Sequence, residues 1–281
     1  MKIDTHHHLW EFQTDDYAWM LNEGLEPLRH NFLPPELKGV LDESGVDGAV
    51  VVQVRQEDKE NEWMLELAEA HPFMLGVVGW APLTDEKAAE AVFEKYADRE
   101  KFVGVRHIVQ EEPDDNYILR EDFNRGIAAM KKHEMVYDIL IFEKHLKPTI
   151  AFVDKHPDQF FVLDHIAKPR IKDDAMEPWA TLLKDLAKRD NLVCKLSGVS
   201  TEADHKNWTE QQLQPYMETA LNAFGADRLM FGSDWPVSLL ATNYKEWHDI
   251  VERFVDAQLS DDERTKFWHT NAVKAYGLKT A

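Results

Sequence analysis

Eight short apolar runs, each followed by a segment with helical spacing, constrain this chain more than any other feature. They are Lys2–His6, Gly48–Val54, Phe73–Trp80, Phe102–His107, Val136–Phe142, Phe160–His165, Leu192–Ser197 and Leu229–Ser233, with starts about 24 to 46 residues apart. Several are nearly unbroken apolar stretches, such as GAVVVQV and FFVLDH. A strand buried on both faces reads this way, and parallel sheets covered by helices contain such strands. The segments between them carry helix ends. Thr84 before Asp85 and Glu86 reads as an N-cap with an acidic first turn. Thr209 with Gln212, and Ser260 with Glu263, have capping-box spacing. Gly225 stands where a helix C-cap is expected. Apolar residues recur at helical spacing at Trp179, Leu182, Leu183 and Leu186, and again at Trp247, Ile250, Val251 and Phe254. Those tryptophans are therefore expected to pack in the core.

This alternation predicts an α/β protein, an eight-stranded (β/α) barrel forming one domain over residues 1–281. An open doubly wound sheet is the alternative. It would want a Gly-rich phosphate loop after an early strand, and neither G-x-G-x-x-G nor a Walker pattern occurs. The stretch from Leu9 to Asp47 is expected to lie irregularly over the barrel mouth. It then becomes a short helix opened by Pro34-Pro35 and closed by Gly45.

Charge narrows the partners. The chain has 32 basic and 52 acidic residues, a net charge of −20. Such a surface repels phosphate backbones and anionic lipid, so neither nucleic acid nor membrane is an expected partner. The stretch from Pro72 to Thr84 is the longest uncharged apolar-rich one, and it is too short to span a bilayer. No apolar signal run follows Met1, and the single cysteine, Cys194, excludes an internal disulfide. The expectation is a cytoplasmic protein acting on a small molecule, with the oligomeric state open to a homo-oligomer. Cys194 neighbours Lys195, but alternation on a strand turns the two apart, so a buried, inert thiol is expected.

In a barrel of this kind the chemistry sits at the C-terminal ends of the strands. The first strand ends Asp4-Thr5-His6-His7-His8, where His6 and His8 share a face and His7 points away. Two imidazoles so placed can bind one cation. The sixth strand ends Asp164-His165, and the eighth ends Gly232-Ser233-Asp234-Trp235-Pro236. Each ending also has a bland reading, as a polar strand end or a turn-forming Asp. Three such groups at one rim argue for a site.

Five stretches carry a resemblance: DTHHHLW at Asp4–Trp10, GVRH at Gly104–His107, VLDHIAKP at Val162–Pro169, CKLSG at Cys194–Gly198 and LMFGSDWPV at Leu229–Val237. Asn271-Ala272 ahead of Tyr276 adds to them. In this order they resemble the amidohydrolase superfamily, in its amidohydrolase-related branch of (β/α)8 barrels. They are most similar to the sugar-lactonase group of fuconolactonase-like and rhamnonolactonase-like enzymes. The resemblance implies hydrolysis of a sugar lactone, with His6, His8, His165 and Asp234 as metal-ligand candidates and Asp234 and His165 as catalytic residues. It implies at most one divalent ion, Zn2+ or Mn2+, because the fourth strand lacks the lysine that bridges two metals in binuclear relatives. Some lactonases of this branch work without a metal.

Six residues at other strand ends are candidate substrate contacts: Arg106, His107, Gln53, Trp80, Lys168 and Lys195. Basic groups and amides suit hydroxyls and carboxylates, and Trp10, Trp80 or Trp235 can stack on a sugar ring. Two other readings stand beside lactone hydrolysis. One is a mononuclear metal-dependent decarboxylase of the same superfamily, and the other is a non-catalytic barrel that binds a sugar acid.

Overall fold

The computed structural model describes residues 1–280. Eight parallel strands follow one another round a single sheet in chain order. They are β1 (Ile3–His7), β2 (Gly48–Val52), β3 (Met74–Gly79), β4 (Phe102–His107), β5 (Val136–Ile139), β6 (Phe161–Leu163), β7 (Leu192–Leu196) and β8 (Leu229–Phe231). The seam between β8 and β1 is closed by the Asp234 N–H donating to His6 O and the His8 N–H donating to Trp235 O, both at 2.7 Å. The expected barrel is therefore observed.

Between the strands lie α1 (Pro34–Ser44), α2 (Asp58–Ala70), α3 (Glu86–Tyr96), α4 (Glu121–Met130), α5 (Leu146–Lys155), α6 (Trp179–Leu186) and α7 (Glu210–Phe224), with α8 (Tyr244–Gln258) after β8. Gly45 closes α1 in the left-handed region at φ 64°, as expected of a C-cap. The cap of α3 is Asp85 rather than Thr84: its carboxylate accepts from the Ala88 N–H at 3.1 Å. Thr209 caps α7 by accepting from Gln212 N–H, but the Gln212 side chain turns to Ile171 O and Asp174, so only half of that box forms. At Ser260 the reciprocal partner is present, with the Glu263 carboxylate accepting from the Ser260 N–H at 2.9 Å. Trp179 and Trp247 are buried in the layer between barrel and helices.

Alternation divides the strand side chains between two cores. Ala49, Val51, Ile139, Phe161, Cys194 and Phe231 face the helices. Val50, Val52, Val78, Val162 and Met230 form a second apolar cluster with Ala272, Tyr276 and Leu278 from the C-terminal helix (Asn271–Tyr276) and its tail. Full burial of one such side chain contributes about 1.5–3 kcal/mol, so this cluster fixes the helix as a plug. Above it the interior becomes polar. Burial drives the Cys194 thiol pKa up, as expected of an inert side chain.

Six of the eight strands are shorter than the apolar runs, while β4 matches its run and β1 is shifted by one residue. Val54, Trp80, Phe142, His165, Ser197 and Ser233 lie past the ends of their strands, at the rim. Two short 3-10 turns, Ala18–Leu21 and Glu26–Leu28, occupy the long connection after β1. Trp10 and Phe32 pair through backbone bonds of 3.0 and 2.9 Å and hold that connection to the mouth. No helix among the described residues is long and apolar enough to cross a membrane.

Candidate active site

Two strand ends bring the central group together. His6 ends in the barrel interior, His8 follows β1, and Asp234 follows β8. His6 Nε2 lies 3.3 Å from His8 Nε2 and 3.8 Å from Asp234 Oδ1, and His8 Nε2 lies 3.4 Å from the same oxygen. His165 adjoins this trio, its Nε2 being 3.8 Å from Asp234 Oδ1. All four side chains are buried.

Each imidazole is anchored through its far nitrogen. His8 Nδ1 is 2.7 Å from Val52 O, a carbonyl that can only accept, so His8 donates there and turns its Nε2 to the centre of the group. His6 Nδ1 faces Asp164 at 3.2 Å, and His165 Nδ1 faces Ser197 Oγ at 2.9 Å. Such outer partners orient metal-binding histidines. Burial, with the Lys195 and Arg106 cations nearby, holds the His6 pKa well below its usual value. Burial likewise lowers His165. Both rings are therefore neutral near pH 7 and present lone pairs.

This donor set fits a divalent cation. Two imidazole nitrogens and a carboxylate oxygen converge there, and the Arg106 guanidinium approaches His6 Nε2 from the side at 3.2 Å. A tetrahedral ion with bonds of roughly 2.0–2.1 Å has donor atoms about 3.3–3.4 Å apart, close to the separations within the trio. His6, His8 and Asp234 form the tight group, with His165 at its edge. Burial works against ionisation of Asp234, but His165, His8 and Lys168 outweigh it and hold its carboxyl below the usual value. Asp234 is thus a carboxylate at any ordinary pH.

Backbone conformation is unusual at both turns that carry these groups. His165, Ile166, Ala167 and Lys168 are consecutive left-handed residues, with φ from 46° to 60°, and Asp234 has φ 57°. For non-glycine residues this costs about 1–2 kcal/mol each, and such strain concentrates at functional sites. Gly198, at φ 61°, lies against His165: a Cβ there would sit 2.7 Å from His165 Nδ1. Gly198→Ala is expected to displace the imidazole and lower kcat/KM by roughly tenfold or more, read from steady-state kinetics beside a melting curve.

A cavity of about 240 Å3 opens above the group. His8, His165 and Asp234 form its floor, Arg106 and Lys168 its cationic side, and Val54, Ile108, Leu140 and Val237 an apolar wall. Trp10 lines it as foreseen, and so does Trp19, which the sequence did not single out and which is 41% exposed. Gln110 and Glu111, also in the lining, gave no sequence signal; they belong to a short 3-10 turn, Val109–Glu111, after β4.

Four of the expected substrate contacts stand elsewhere. Gln53 lies under Arg106, receiving a guanidinium N–H at 3.3 Å and donating to Arg106 O. His107 alternates away from Arg106 to the outer face, where it pairs with Glu112 at 2.7 Å and stacks on Tyr117. Trp80 is not part of the cavity lining, and its backbone is clamped at both ends by the Asn61 amide. Lys195 is fully buried beneath the histidines, 2.5 Å from Asp138 and 2.9 Å from Asp164. Trp235 packs edge-on against Phe32 rather than toward the cavity.

Asp164 and Asp4 are the residues that sequence reasoning passed over. Asp164 meets His6, Lys195 and Arg106, the last at 3.1 Å. Burial alone would raise its pKa, but Lys195 and Arg106 hold it below the usual value. Asp4 accepts from the N–H groups of His6 and Ser233 at 3.0 and 2.9 Å and so ties β1 to the turn carrying Asp234. Burial raises its pKa to about 6. The Asp164 signal was the Asp-His pair itself, read for its histidine.

Comparison with known proteins agrees with this architecture. The chain is 36% identical to an L-fucono-1,5-lactonase of Burkholderia multivorans, across 99% of this chain and 96% of that protein. An L-fucono-1,5-lactonase of Burkholderia ambifaria is 34% identical, again over 99% of this chain and 96% of the relative. A crystal structure of a B. multivorans amidohydrolase with bound zinc superposes with a TM-score of 0.94, at 37% identity, covering 99% of this chain and all of that one. The amidohydrolase family pattern matches residues 3–278. With nearly the whole chain covered and the barrel and its rim in place, the protein belongs to the amidohydrolase family.

Proposed function

We propose that this protein is a sugar lactonase, hydrolysing a lactone of the L-fucono or L-rhamnono type to its aldonic acid. The observation that carries the reaction type is the Asp234 carboxylate, buried and ionised on the cavity floor within 3.4–3.8 Å of three imidazoles. Two full-length lactonase relatives support the substrate class. The apolar wall and the polar floor suit a small, partly hydroxylated ring.

Ring opening requires an activated water, a stabilised carbonyl oxygen and a protonated leaving oxygen. In this reading Asp234 takes a proton from water as the oxygen joins the lactone carbonyl carbon. Arg106 and Lys168 supply positive charge on the side of the cavity where the carbonyl oxygen gains its negative charge. When the ring C–O bond breaks, Asp234 returns its proton to the leaving oxygen. His6, His8 and Asp234, with His165 adjoining, would hold one divalent ion, Zn2+ or Mn2+ by their nitrogen and oxygen donors. Such an ion lowers the pKa of water and polarises a carbonyl.

A pH-indicator assay on a panel of sugar 1,4- and 1,5-lactones, against an uncatalysed control, tests the reading. Acid release is expected from the fucono or rhamnono members. It should fall at least about tenfold after chelation and return with Zn2+ or Mn2+. No acid release from any lactone would overturn the assignment.

A further inference from the structure

The carboxylate paired with Lys168, that of Glu202, has no task in the water chemistry at Asp234. Lys168 lines the cavity, and its Nζ lies 3.8 Å from Glu202 Oε1. That is an ion-pair separation, too long for a hydrogen bond. Both side chains are largely enclosed, 17% and 20% exposed. The Lys168 ammonium also stands 5.5 Å over the Phe142 ring. Glu202 ends a 3-10 turn, Ser200–Glu202, just after β7.

Arg106, the other cation of the lining, is already committed to Asp164, His6 and the Gln53 backbone. Among the described residues, the one carboxylate at ion-pair distance from Lys168 is that of Glu202, at 3.8 Å. Its charge reaches the reaction centre, since it helps hold the Asp234 carboxyl down. Burial raises the Glu202 pKa, Lys168 opposes that shift, and Asp234 adds to it, so the three charges sense one another.

The chemistry makes this balance matter. A lactone is neutral and an aldonate is an anion, formed beside Lys168. An ammonium left without a counter-charge in a half-enclosed site would retain that anion. Resting on the lactonase reading, we propose that Glu202 is a specificity-determining residue. By offsetting Lys168, it keeps sugar carboxylates weakly bound while leaving the affinity for neutral lactone nearly unchanged.

The experiment measures the product inhibition constant of L-fuconate and the KM of its lactone for the wild type, Glu202→Gln, Lys168→Met and the double variant. A melting curve for each controls for folding. In Glu202→Gln the inhibition constant is expected to fall about tenfold, or about 1.4 kcal/mol, with KM moving less than about twofold. The double variant should lose that gain, because the effect passes through Lys168. Lys168→Met alone, which does not depend on the Glu202→Gln fold, should weaken L-fuconate binding. An inhibition constant unchanged in Glu202→Gln, a parallel shift of KM and inhibition constant, or a gain that survives loss of Lys168 would overturn the proposal. If no lactone turns over, the lactonase reading fails by itself. Calorimetric titration with L-fuconate still decides the role of Glu202, and absence of binding to every variant counts against it.

Discussion

Asp234→Asn is expected to lower kcat for lactone hydrolysis by about 10^2–10^4-fold with the barrel intact, the range for loss of a general base. The carboxylate lies within 3.4–3.8 Å of His6, His8 and His165, so removing its charge removes the proposed proton acceptor and a candidate metal ligand together. The fold should survive for a local reason. Asp234 sits at φ 57°, and Asn is among the few residues that accept the left-handed region readily. Its backbone N–H bond to His6 O, which closes the seam, is untouched. Melting within a few degrees of wild type, with turnover lost, is the expected pair of results. Turnover near wild type would remove Asp234 from the mechanism.

Lys195→Met should act oppositely, on stability before chemistry. Lys195 Nζ sits between the carboxylates of Asp138 and Asp164 with no exposed surface. Burial raises the Asp138 pKa, and Lys195 is the main influence opposing it. Tyr276 also donates to Asp138, at 2.9 Å, so the C-terminal plug hangs on the same network. Removing one partner from a buried ionic cluster costs about 3–5 kcal/mol, because the remaining charge keeps its desolvation penalty. For a chain of this size that is a melting shift of roughly 10 °C. Adding Asp138→Asn should recover part of the loss, since Arg106 still pairs with Asp164. A Lys195→Met protein as stable as wild type in urea would contradict the ion-pair account.

Lys195 also shows where sequence reading runs out. A lysine in the run LVCKLS at a strand end looks like a hand offered to a ligand. Its partners arrive from β5 and β6, more than thirty residues away, and that meeting is a tertiary fact. Gln53 and His107 fail for related reasons, one drawn under Arg106 and the other turned outward by strand alternation. The barrel was legible because strands buried on both faces leave unbroken apolar runs, and the eight runs did become eight strands. Their ends were not, because the rim residues leave the ladder while remaining apolar or polar in no fixed period. His6, His8 and Asp234 were legible because strand order alone brings their ends to one rim. The left-handed run from His165 to Lys168 had no signal, since no glycine marks it. Trp19 sits in a connection without periodicity, which gave no ground for choosing it.

The central claim is that water adds to a lactone carbonyl above Asp234, and hydrolysis in 18O-labelled water tests it most directly. L-fucono-1,5-lactone is incubated with the wild-type protein, and the acid is analysed by mass spectrometry after correction for spontaneous opening. The account predicts one acid per lactone consumed, with a single 18O in the carboxylate. Label on the ring-derived hydroxyl, or no acid above the uncatalysed rate, would contradict it.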